Sequence, residues 1–172
     1  MFYLIRHGRT DYSLQNTRIY QGYDVNLSPL SAEGIKEIEV ASSDIRLRDA
    51  DLILSSPYTR ALQTAAILSK NLGIDIAVET DLHEWIANKD YVYEDDETAV
   101  HAYREYTENS GEYPKNTKLN WETASDIRAR VIPVLQKYKH LDKVVVACHG
   151  TLIQAITGGH LPKNGEIVEF DL

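Results

Sequence analysis

Short apolar runs alternate along the chain with segments whose apolar residues recur at helical spacing. Phe2 to Arg6, Asp51 to Ser55, Ile74 to Val78 and Val144 to Ala147 read as strands, most of them continuous apolar runs rather than alternating ones. That pattern belongs to strands covered on both faces. Ser31 caps a predicted helix in which Ile35, Ile38 and Ala41 share a face. Ser56 followed by Pro57 predicts an N-cap and a first-turn proline. The helix behind them carries Ala61, Leu62, Ala65, Leu68 and Leu72 on one face, and Gly73 ends it. Thr123 with Asp126 predicts a capping box opening a helix toward His140, kinked at Pro133. Thr151 to Thr157 reads as a short helix, and Glu166 to Leu172 alternates like an edge strand. This succession predicts an α/β fold, a three-layer sandwich with a mostly parallel central sheet.

Residues 85–121 break the rhythm. They hold Trp85, Tyr91, Tyr93, Tyr103, Tyr106, Tyr113 and Trp121, and one helix, around Glu97 to Asn109, is predicted among them. The segment reads as a small lid-like insertion over one end of the sheet, so residues 1–172 are expected to form a single domain.

Composition narrows the setting. A chain of 172 residues, 43% hydrophobic, can bury a sizeable core. It has no apolar window near the ~20 residues a membrane span requires. The N-terminus MFYLIRHG lacks a basic n-region, and its apolar run is short for a signal peptide. A single cysteine, Cys148, fits a reducing compartment, so a cytoplasmic protein is expected. The net charge of -8 argues against nucleic acid or an anionic membrane as partner. It leaves room for a small anionic ligand held by local arginines.

The strand ends carry the candidate chemistry. Ligands of open α/β sheets bind outside the carboxyl ends of the strands. The first strand runs into Arg6, His7 and Gly8, and the last parallel one, KVVVACHGT, runs into His149 and Gly150. The second leads through SSPYTRALQTA to Arg60, and the third to His83, Glu84 and Trp85. Two histidines, two arginines and a carboxylate suit a phosphoryl group. Arginine forks match phosphate oxygens, and a neutral imidazole can attack phosphorus covalently. A protonated second histidine can stabilise charge on the oxygens. A carboxylic acid can protonate the leaving oxygen and then take a proton from water. None of these steps requires a metal. Asp24, Glu94, Asp95 and Asp96 are rival acids. His83, His101, His140 and His160 read as structural or surface residues, and Cys148 as a buried small one.

The blocks LIRHGRT, LSSPYTRALQTA, LHEW and VVVACHG resemble, in order, the signatures of the histidine phosphatase superfamily, also called phosphoglycerate-mutase-like. QGYDVNLSPLSAEG and WETASDIRARV resemble two further segments of that family, so the likeness spans nearly the whole chain. It implies that His7 is the nucleophile that becomes phosphohistidine, with Arg6, Arg60 and His149 in the phosphate pocket and Glu84 as general acid and base. Gln21 and Gly22 fall where family members line the substrate mouth. Ser13 stands where the family often has an asparagine that contacts phosphate. No metal and no cofactor are implied.

The expected activity is that of a metal-independent phosphomonoesterase acting on a small phosphorylated metabolite. The alternatives are a phosphoglycerate-type phosphomutase and a catalytically silent phospho-ligand binding module. The short insertion and a chain ending at Leu172, without the tail of the mutases, favour hydrolysis. Eight acidic and four basic residues in 85–121 favour a monophosphate. A metallohydrolase built on His7, His83 and His149 lacks the usual D-x-H, H-x-H or H-E-x-x-H spacing. The sequence does not give the oligomeric state.

Overall fold

A computed structural model describes residues 1–15, 17 and 24–172, and the side chains of all of these except Asp24 and Val25. Five strands, β1 (Phe2–Arg6), β2 (Leu52–Ser55), β3 (Ile76–Val78), β4 (Val144–Cys148) and β5 (Ile167–Phe170), form one sheet in the order β3-β2-β4-β1-β5. All neighbours are parallel except β1 and β5, so the expected edge strand pairs antiparallel. Helices are α1 (Asp24–Leu27), α2 (Ala32–Ala41), α3 (Thr59–Leu72), α4 (Asp96–Glu108), α5 (Ala124–Lys137) and α6 (Gly150–Thr157).

Alternate residues of the strands feed two cores, one on each face of the sheet. Leu4, Leu54, Val144, Val146 and Cys148 pack with α5, α6 and the 85–121 segment. Ile5, Ile53, Val145 and Ala147 pack against Ile38 of α2 and Ala65 and Leu68 of α3. This is the expected three-layer sandwich. Each fully buried aliphatic contributes ~1.5–3 kcal/mol by leaving water, so the two cores fix the sheet from both sides.

Local signals explain most element ends. Ser31 caps α2 through Gly34 N–H. Thr123 and Asp126 form the reciprocal capping box of α5, which runs through Pro133 on its exposed face. Gly73 closes α3 with φ of 72°. The predicted start of α3 is corrected. Its N-cap is Tyr58, and Ser56 lies before the helix with its hydroxyl turned to the sheet edge. β3 also begins later than predicted, at Ile76, because the Ser69 hydroxyl holds the carbonyl of Ile74 in the turn behind Gly73.

The exit from β1 is clamped by α2. A Cβ on Gly34 would lie 2.1 Å from the Arg9 carbonyl oxygen, and one on Gly8 would lie 2.3 Å from that of Gly34. Only two glycines permit this backbone crossing. Ser31 N–H donates to Arg9 O, and Asn164 Nδ2 donates to His7 O. The strand end is thereby held before any ligand arrives.

Candidate active site

Parallel pairing places the two His-Gly exits side by side. Arg6 registers with Cys148, so the next residues, His7 and His149, leave the sheet at one level. Their ring centroids are 5.2 Å apart. β2 lies on the other flank of β4, and Ser56 N–H donates to Ala147 O at 3.0 Å. α3 then carries Arg60 back over the same edge, buried in its first turn.

His7 is held in one tautomer. Its Nδ1 lies 2.8 Å from the Gly8 carbonyl, which can only accept, so Nδ1 carries the proton. Arg60 Nε–H donates to Nε2 at 3.1 Å, so Nε2 presents its lone pair. Burial, followed by the Arg60 cation, lowers the pKa of His7 from 6.5 to about 3, against a smaller raising effect of the Gly8 carbonyl. The ring is therefore neutral at physiological pH, the form in which imidazole is a nucleophile.

His149 is fully buried, with Nε2 at 2.7 Å from Ser56 Oγ. Burial, then the Arg60 cation, depress its pKa well below the usual value. The free protein thus carries it neutral, where the sequence reading invoked a protonated form. An arriving phosphate dianion supplies the negative charge that protonation needs. Among the described residues, Arg6 Nε, His83 Nε2 and His149 Nδ1 are buried without a hydrogen-bond partner in the protein. Arg6 spends Nη1 on Pro162 O at 2.6 Å.

Glu84 reaches the same edge from the third strand. Its carboxylate accepts N–H from Trp85 at 2.8 Å and, at the start of α6, from Thr151 at 3.3 Å and Leu152 at 3.2 Å. An anion is stabilised at such a helix terminus, and α6 starts directly after His149. The loop that delivers Glu84 is held by Arg130 of α5, which donates to the carbonyls of Asp81 and Glu84. Glu122 pairs with Arg130 through both carboxylate oxygens, with side-chain exposures of 5% and 13%. Trp85 Nε1 donates to Glu122 O at 2.7 Å.

A cleft of about 980 Å³ opens above these residues, with Arg6, His7, Arg60 and Glu84 in its wall and the 85–121 segment as its roof. α4 falls where a helix is expected there. Ser13 lies on an exposed turn with its amide on Asp11 and does not itself line the cleft, although the adjacent Tyr12 does. Gln21 and Gly22 lie outside the described residues. Of the rival acids, Glu94 and Asp96 line the cleft and Asp95 caps α4. Cys148 is buried, and burial pushes its thiol up, as befits an inert core residue. Among the described residues no group of three His, Cys, Asp or Glu side chains could hold a metal ion, and no helix is long and apolar enough to cross a membrane.

Ser56, Tyr58 and the Glu122–Arg130 pair are functional neighbours that sequence reasoning missed. Tyr58 lies edge-on to His149 at 5.2 Å and under the Arg60 guanidinium at 5.0 Å. The signal for Ser56 was present in SSPYTRALQTA, but its capping propensity offered a sufficient local explanation. Arg130 and Glu122 stand eight residues apart, and nothing in that spacing points to a strand end elsewhere in the chain.

The model of the histidine phosphatase superfamily (branch 1) matches residues 2–167. An uncharacterized phosphatase PhoE of Bacillus subtilis is 29% identical over 156 residues, 89% of this chain and 73% of its own. A 2,3-bisphosphoglycerate-dependent phosphoglycerate mutase of a Methylobacterium species is 28% identical over 172 residues, 89% of this chain and 76% of its own. The mycobacterial glucosyl-3-phosphoglycerate phosphatase, solved with VO3, superposes with a TM-score of 0.65 at 25% identity, covering 91% of this chain and 79% of its own.

Proposed function

The chain belongs to the histidine phosphatase superfamily, and from that premise we propose that it hydrolyses a small phosphomonoester, without a metal, through a phosphohistidine on His7. The observation that carries this reading is the fixed tautomer of His7, whose Nε2 lone pair faces the Arg60 guanidinium in a buried cationic site.

In the proposed reaction the phosphate enters between Arg6, Arg60 and His149, and its oxygens replace the imidazole as partner of Arg60. Nε2 of His7 forms a bond to phosphorus as the bond to the ester oxygen breaks. Glu84, held by backbone N–H groups in the free protein, takes up a proton beside the incoming phosphate dianion, exchanges a backbone contact for the leaving oxygen and donates that proton there. Water then attacks the phosphohistidine, gives its proton to Glu84 and releases inorganic phosphate, restoring His7. Arg60 and Arg6 stabilise the charge spread over the phosphoryl oxygens throughout. The PhoE relative supports hydrolysis. The phosphoglycerate mutase relative shares the family, so the assay must separate the two outcomes.

The test measures phosphate release from p-nitrophenyl phosphate with and without a chelator, and traps the phosphoenzyme. Wild type should turn over in chelator and give an acid-labile, base-stable phosphoenzyme. His7→Ala should lose about 10⁴-fold or more in turnover, the scale on which loss of a nucleophile falls, and trap no phosphoenzyme. Near wild-type turnover by His7→Ala would refute the mechanism. With 3-phosphoglycerate and catalytic 2,3-bisphosphoglycerate, isomerisation faster than phosphate release would replace the phosphatase by a mutase.

A further inference from the structure

We propose that the roof of the cleft selects monophosphates whose alcohol carries a flat, uncharged ring and disfavours alcohols bearing a second anion. The inference rests on the phosphatase reading and adds a substrate class to it.

The aromatic residues of 85–121 divide into two groups. Trp85, Tyr103, Tyr106, Tyr113 and Trp121 pack on one another with ring centroids 4.7 to 6.0 Å apart. The Tyr113 hydroxyl and the Trp85 indole N–H are bonded to backbone carbonyls. Those rings are the core of the roof. Trp85 and Tyr103 turn part of that core to the cleft, while Tyr91 and Tyr93 line it from more exposed positions, at 75% and 51%, as does Tyr12 at 45%. Val92 between them is exposed as well. Large apolar side chains gathered around one concavity mark a binding surface rather than chance exposure.

Their placement connects the mouth of the cleft to the reacting histidine. Tyr91 meets the His83 ring at 6.1 Å, and His83 stacks on Tyr58 at 6.3 Å with 29° between planes. Tyr58 meets His149 at 5.2 Å, and His149 meets His7 at 5.2 Å. A run of ring contacts thus links Tyr91 to His7 through His83 and His149, which are buried behind the wall, while Tyr91, Tyr58 and His7 line the cleft itself. A planar group attached to a phosphate on His7 extends along that wall, where ring faces and edges offer offset or edge-on contact.

Charge sets the second half of the preference. The roof, all of whose residues are described, contributes Glu94 and Asp96 to the cleft and no lysine or arginine. Lys89 is turned outward to Asp126 at 3.1 Å and to the Tyr113 ring. Among the described residues, the guanidinium groups lining the cleft lie on the opposite side, with Arg6 and Arg60 at the strand ends and Arg9 paired with Glu33. A carboxylate or second phosphate on the alcohol would meet the Glu94 carboxylate at the roof, where like charges repel.

The test uses benzyl, cyclohexylmethyl and 4-carboxybenzyl phosphates. All are primary alkyl esters with similar leaving-group chemistry, so planarity and charge are what vary. Benzyl phosphate should exceed cyclohexylmethyl phosphate by about tenfold in kcat/KM, equivalent to ~1.4 kcal/mol, and should exceed 4-carboxybenzyl phosphate by about as much. In Tyr91→Leu/Tyr93→Leu, changed only at exposed positions, the benzyl-to-cyclohexylmethyl ratio should fall to within about twofold of unity, because those ring contacts are gone. Equal efficiency of wild type on the three esters overturns the proposal and leaves the phosphatase intact. So does an unchanged ratio in the double variant, or inertness on all three while p-nitrophenyl phosphate turns over. Inertness on p-nitrophenyl phosphate as well removes the phosphatase reading, and this inference with it.

Discussion

Two buried polar clusters flank Glu84, and they are built on opposite principles. The Glu122–Arg130 pair is saturated: both carboxylate oxygens and the guanidinium fork are engaged, and the spare N–H groups reach backbone carbonyls. The cluster at the strand ends is left incomplete, with Arg6 Nε, His83 Nε2 and His149 Nδ1 buried and without partners. A buried donor or acceptor without a partner costs about 1–3 kcal/mol. A protein retains such a cost where a ligand supplies the missing partners, and removes it where the only task is to hold a loop. On the proposed function, the saturated pair is the support and the incomplete cluster is where the phosphate is expected.

The strongest way to break this contrast is to remove Glu84, the proposed proton donor between the two clusters. Glu84→Gln keeps the shape and one of the two accepting oxygens that meet Thr151 and Leu152, but it cannot act as an acid. It should slow alkyl phosphates by about 10²–10⁴-fold, the usual range for general acid catalysis. p-Nitrophenyl phosphate, whose leaving group needs little protonation, should lose far less. Equal losses on both would move the role to Glu94 or Asp96, the other described acids in the cleft.

A second test separates support from chemistry. Arg130→Met leaves Glu122 buried without its cation and should cost about 3–5 kcal/mol in urea unfolding. Arg130→Met/Glu122→Leu removes both charges and should regain most of that stability. If the pair positions Glu84, the double variant will stay slow on alkyl phosphates while nearly normal on p-nitrophenyl phosphate. Full recovery of both rates would make the pair a stability element only.

The mildest test is acid. His7, His83 and His149 all have pKa values lowered by burial. The unfolded chain then binds protons that the folded one refuses, so stability is complete above about pH 6.5 and falls as pH drops toward the folded values, about 3 for His7. Between pH 6.5 and 5 each group adds up to ~1.4 kcal/mol per pH unit to the loss. His149→Asn should flatten that slope by about one proton's share relative to wild type. An unchanged slope would mean that His149 is already charged in the folded protein.

Much of this molecule is legible in its sequence, for a local reason. Continuous apolar runs of three to five residues marked the parallel strands, and Ser31, Thr123 and Gly73 marked helix ends through contacts made within a few residues. Strands that end in Arg-His-Gly and His-Gly announced the chemistry, because a buried strand has no internal use for those residues. Ser56 shows the limit. Its capping preference is real, yet the hydroxyl goes to His149, 93 residues away, because β2 and β4 are adjacent in the sheet. Pairings between distant segments leave no periodic trace.

By itself, then, the sequence determined the α/β alternation, the residues able to handle a phosphoryl group, and an aromatic, acidic insertion. The tertiary structure decided which of them act together. Parallel register set His7 level with His149, the Gly8 carbonyl and Arg60 chose the tautomer of His7, and Arg130 drew Glu84 to the start of α6. It also sorted the tyrosines of the roof into a core and an open wall. The physical reason is common to all of these: hydrogen-bond direction, burial and charge at a site depend on neighbours that only the folded sheet brings within a few ångströms.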